Sequence, residues 1–147
     1  MASAKNSRPI ITLQTYCPSC TCAYEYKIEI FSTGNVHWQG KHYVHIKGDR
    51  YKNIEKIKIK DLIAKFDEVG FFDRPDDYSE EMKKKHLTWT DMSYMKITFN
   101  SGEKNKSVIY GRALFELEGA IKDAVTAESW LNPAPDPWES GCIEDRR

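Results

Sequence analysis

The sequence predicts an α+β domain in which an antiparallel sheet of five or six strands carries two helices packed on one face. Strand-like segments alternate apolar and polar residues between clusters of turn residues. Two longer segments instead repeat apolar residues with the helical period, and each has a single apolar face. A chain of 147 residues can bury a core as one domain, whereas two cores would each be near the lower size limit.

Residues 10–16 are rich in β-branched side chains and read as the first strand. Cys17-Pro18-Ser19-Cys20-Thr21-Cys22 breaks it. From Tyr24 to Phe31 the alternation is strict, with Tyr24, Tyr26, Ile28 and Ile30 on one face and Glu25, Lys27 and Glu29 on the other. That pattern predicts a half-buried antiparallel strand. Ser32-Thr33-Gly34-Asn35 has turn chemistry, so residues 36–39 are predicted to return as a hairpin partner. Gly40-Lys41 is read as a further turn, residues 42–47 as a third strand of this meander, and Gly48-Asp49 as its close. Residues 51–57 are read as extended or irregular.

The period changes at Ile59. Ile59, Leu62, Ile63, Phe66 and Val69 share one helical face, and Gly70 is a natural stop. Phe71-Phe72 is expected to plug the core. Residues 73–91 form the main irregular stretch, long for a connection in a small domain. A hairpin follows, with Met95, Ile97 and Phe99 inward on its first strand (94–100), a turn at Ser101-Gly102-Glu103 and a second strand at 106–110. Leu114, Leu117, Ile121, Ala124 and Val125 define a second helix over 112–125, after which Trp130 is expected to dock. The predicted domain therefore spans 9–130, between a loose arm (1–8) and a tail (131–147) that carries Pro133, Pro135 and Pro137.

Composition excludes several classes. With 40% hydrophobic and 30% charged residues, eight Gly and six Pro, the chain is neither collagen-like nor globally disordered. Apolar runs are too short to span a membrane, and residues 1–8 lack the apolar core of a secretory signal, so a cytoplasmic location is expected. Net charge is zero, but residues 1–60 carry +6 and residues 61–147 carry −6. A neutral chain gains little long-range steering toward nucleic acid, which is therefore not an expected partner.

Several short motifs stand in a recognisable order. They are Ile-Thr-Leu at 11–13, the cysteine-bearing loop, Tyr-x-Ile-x-Ile-Phe-x-x-Gly-x-Val from Tyr26 to Val36, and Gly40-Lys41 followed by Tyr43-Val44. Then come a helix ending in Phe71-Phe72, Thr90-Asp91 before a strand, and Tyr110-Gly111 leading into the last helix. Over residues 8–130 this order resembles the DUF6438 family, a domain of unknown function. The resemblance implies a small α+β domain and no established activity. Members of that family commonly carry a Pro-Cys-Phe-Gly-x-Cys-Pro loop, against which Cys17 and Cys22 align with the spacing lengthened by one and an extra cysteine between them.

Cys17, Cys20 and Cys22 are the most chemically suggestive cluster. Cys17-x-x-Cys20 has dithiol spacing, but a strand rather than a helix follows, so no helix dipole lowers a thiol pKa. Three thiols with Cys142 as fourth ligand could hold zinc tetrahedrally, although the usual pair of separated two-ligand knuckles is missing. Reduced, metal-free thiols are the expected state. His37, His42 and His45 cluster in sequence; a turn at Gly40-Lys41 would make His37 and His42 diagonal neighbours on one face and put His45 on the other. Aromatic residues beside Lys and Arg in this segment could stack single-stranded nucleic acid, but alternating strand aromatics more often face a core. No phosphate loop, nucleophile elbow or zincin motif is present. The expectation is a non-enzymatic binding or protein-interaction module with no cofactor and a protein partner, its surface candidates being His37, Trp38, His42 and Asp91. The alternative is a metal-binding or thiol-redox protein using the Cys17/Cys20/Cys22 loop.

Overall fold

The alternation between Tyr24 and Phe31 becomes the second of six antiparallel strands. The computed structural model describes residues 8–16, 24–78, 84, 94–110 and 113–133. Strands β1 (Ile11–Tyr16), β2 (Glu25–Ile30), β3 (Asn35–His42), β4 (Gly48–Asn53), β5 (Tyr94–Asn100) and β6 (Asn105–Tyr110) lie in the order β4-β3-β2-β1-β5-β6. Every strand pair is antiparallel. The free side of β6 is partly covered, because Tyr78 N–H donates to Ile109 C=O (3.1 Å) and Ile109 N–H to Asp76 C=O (2.9 Å).

Helices α1 (Lys56–Glu68) and α2 (Phe115–Ala124) pack against each other on one face of the sheet. A short third helix, α3 (Glu128–Leu131), follows. Ile59, Leu62 and Phe66 of α1, and Leu117 and Ile121 of α2, are buried with the inward residues of the strands in one cluster. Each such side chain contributes about 1.5–3 kcal/mol by leaving water. Gly70 closes α1 at φ 66°, where its N–H reaches the Asp67 carbonyl at 3.1 Å. The Phe71 ring then meets Phe66 edge-on at 4.8 Å, and Phe72 meets Phe99 edge-on at 5.1 Å, so this pair does plug the core.

The predicted α+β class and antiparallel sheet hold; the second turn of the meander is corrected. Gly40-Lys41 lies inside β3, and the turn falls at residues 43–47. Residues 42–47 accordingly do not form a strand of their own: His42 ends β3, and the fourth strand is Gly48–Asn53. Tyr43 enters the turn at φ 54° and Gly48 leaves it at φ 89°. The loop folds back over β3: Val44 is fully buried, and a Cβ on Gly40 would land on the Ile46 carbonyl oxygen and within 2.9 Å of Trp38 Nε1. Gly40 thus leaves room for a crossing backbone instead of bending its own. Two backbone bonds tie the loop to α3, from His45 N–H to Leu131 C=O (3.2 Å) and from Ile46 N–H to Trp130 C=O (2.9 Å). The second helix also starts at Phe115 rather than at 112. No helix among the described residues is long and apolar enough to cross a membrane.

Candidate functional site

The helices cover one face of the sheet, and among the described residues no helix packs on the other, the open face. On the open face, strand pairing sets Glu29 of β2 opposite His37 of β3, and His37 opposite Tyr51 of β4. Asp49 sits two residues before Tyr51, opposite Gln39, so it shares that face and lies diagonal to His37. His37 Nδ1 is 3.0 Å from Glu29 Oε1, and Nε2 is 2.7 Å from Asp49 Oδ1. The imidazolium form donates to both carboxylates at once. The Tyr51 ring lies flat on the imidazole, 4.6 Å between centroids and 6° from parallel. Tyr51 is nonetheless 73% exposed.

A cleft of about 530 Å³ opens beside this stack, bounded by Phe31 and Asn35 on one side and Tyr51 on the other. Asn35 Oδ1 accepts a bond from Asn53 Nδ2 (2.8 Å), which orients its amide. Lys52 lines the cleft with its stem, while its ammonium turns to the helix side and bonds the Val125 carbonyl at 3.0 Å.

Of the surface candidates read from sequence, His37 reaches this open face. Trp38 is a correction: it is fully buried, with Nε1 donating to Ile46 C=O at 3.0 Å and its ring stacked on Tyr26 (5.0 Å) and Trp130 (5.2 Å). Its neighbour in sequence faces the other way because alternate strand residues point to opposite faces. His42 is also corrected. With the turn displaced to residues 43–47, His42 stays on the same strand as His37, five residues along, and pairs with Glu25. The two histidines are therefore about 16 Å apart along β3 and form no pair. His45 lies in the turn itself. Cys17, Cys20, Cys22, Asp91 and Cys142 lie outside the described residues. Among the described residues, no group of three or more His, Cys, Asp or Glu side chains is placed to hold a metal ion. Glu29, Asp49 and Tyr51 are the site residues that sequence reading missed.

A second polar cluster lies inside the fold. Glu118 of α2 is only 5% exposed. Its Oε1 accepts the Tyr110 hydroxyl at 3.1 Å, and its Oε2 meets Lys122 Nζ at 3.2 Å. Burial, followed by the Glu118 charge, pushes the Tyr110 and Tyr26 phenols well above the usual tyrosine range. Such a group keeps its proton in the folded chain after the unfolded chain has released it. Its contribution to stability is complete below about pH 10 and declines as pH rises further. Each phenol adds about 1.4 kcal/mol per pH unit to that decline. Tyr110→Phe is expected to flatten the alkaline stability profile by about this amount, measured by urea unfolding at stepped pH. Parallel profiles for the two proteins would contradict the assignment.

An α+β domain whose sheet is helix-covered on one face and, among the described residues, bears mostly polar side chains on the other is the class that fold and site define. The chain belongs to the DUF6438 family, a domain of unknown function, whose sequence model matches residues 13–127. No curated protein matches the chain.

Proposed function

We propose that the chain is a non-enzymatic binding domain that contacts a protein partner through the open face of β3 and β4, with Tyr51 as the anchor. The observation that carries this reading is the fixed orientation of an exposed aromatic ring. Tyr51 rests on His37, and His37 is held from both sides by Glu29 and Asp49. Immobilising a mobile side chain on binding costs about 0.5–1.5 kcal/mol, a cost that prior ordering reduces. Phe115 is as exposed, at 74%, but makes no ring contact among the described residues and is a poorer anchor on this criterion. Tyrosine at the centre of a contact, rimmed by polar residues such as Asn35 and Asn53, is a common hot-spot arrangement. The same geometry argues against an acid–base role for His37, since both ring nitrogens already face carboxylates.

A photoreactive benzophenone side chain in place of Tyr51, expressed in the native host, is expected to give a discrete protein adduct on irradiation. The adduct should vanish in a His37→Ala background and be absent when the same group replaces the exposed Lys60 on α1. Equal labelling from both positions, or none from position 51, would refute the reading.

A further inference from the structure

On the helix side of the sheet, a pocket of about 290 Å³ lies where β1, β2 and β5 meet the end of α2. Tyr24, Tyr26, Met95 and Leu131 give it apolar walls, and Lys122 and Asn132 supply polar groups. Its volume falls just below the range for ligand sites, about 300–1,000 Å³, so only a small molecule fits. The Tyr24 hydroxyl donates to Asn132 Oδ1 at 3.4 Å, which closes one rim.

Charge balance selects among ligands. Lys122, its side chain about a third exposed, has its ammonium matched by the buried Glu118 carboxylate. An anion in the pocket would leave one uncompensated negative charge beside the buried Glu118 carboxylate, and a cation would sit against Lys122. A neutral molecule disturbs neither. Lysine carries three N–H donors, and among the described residues Glu118 is the sole recorded acceptor for Lys122, so a neutral acceptor could take another. We propose that this pocket binds a small neutral molecule with one apolar ring and a carbonyl-type hydrogen-bond acceptor. The ring packs against Tyr24, Met95 and Leu131, and the carbonyl oxygen accepts from Lys122.

Three probes of similar size and different charge test this on the full chain: benzamide, benzoate and benzylammonium, each titrated while backbone amide resonances are followed by NMR. Benzamide is expected to shift the amides of Tyr24, Met95 and Leu131 and to bind about tenfold more tightly than either charged analogue. Lys122→Met is expected to weaken benzamide binding by about tenfold. Should that variant fail to fold, Tyr24→Ala removes a half-exposed wall and is expected to weaken binding by about fivefold in a folded protein. The proposal is overturned if no probe shifts these amides, if benzoate or benzylammonium binds as tightly as benzamide, or if Tyr24→Ala leaves the affinity unchanged.

Discussion

Trp38→Ala is expected to lower stability by about 3–5 kcal/mol, the range for removing a large buried aromatic. The indole is fully buried and stacked between Tyr26 of β2 and Trp130 of α3. It also holds the 43–47 turn, because its N–H bonds the Ile46 carbonyl. The substitution therefore opens a cavity and frees a loop together. Urea unfolding should show a lower midpoint, and hydrogen exchange should show lost protection at His45 and Ile46, whose N–H groups are bonded to α3. A midpoint shift worth less than about 1 kcal/mol would mean that the stack is not the keystone of this corner.

Gly40→Ala is expected to cost about 3 kcal/mol, an unusually large effect for one methyl group. The added Cβ collides with the Ile46 backbone carbonyl and approaches Val44 Cγ2 to 2.9 Å, and backbone yields far less readily than a flexible side chain. Relief requires the whole turn to lift off β3. That displacement would also break the Trp38–Ile46 bond, so the two sites are coupled. Trp38→Phe, which deletes the bond but keeps most of the ring, should cost about 2 kcal/mol in the natural chain and measurably less in the Gly40→Ala background. Strict additivity in this double-mutant cycle would overturn the account.

Part of the open-face site was readable before any coordinates. The alternation from Tyr24 onward told which residues face out. Counting outward from a four-residue turn at Ser32-Thr33-Gly34-Asn35 would set Glu29 opposite Trp38; the observed loop is one residue shorter, with Asn35 already in β3, and so sets Glu29 opposite His37. Asp49 and Tyr51 are not reached by such counting, because Gly40-Lys41 reads as the next turn. A misplaced turn changes every cross-strand partner beyond it, so the correct partners of His37 on β4 could not be counted.

Local pattern determined the element types, the single apolar face of each helix, the stop at Gly70 and the role of Phe71-Phe72. All of these follow from period and turn chemistry within a dozen neighbouring residues. Tertiary structure decided what Gly40, Trp38 and Tyr51 do. A glycine that bends its own backbone and one that makes room for another segment look identical in sequence, and only the crossing of Ile46 over β3 distinguishes them. Trp38 is sealed by Trp130, ninety-two positions away, and Tyr51 is ordered by a histidine on the neighbouring strand. Such contacts depend on which distant surfaces meet, a property of the packed chain that no local periodicity encodes.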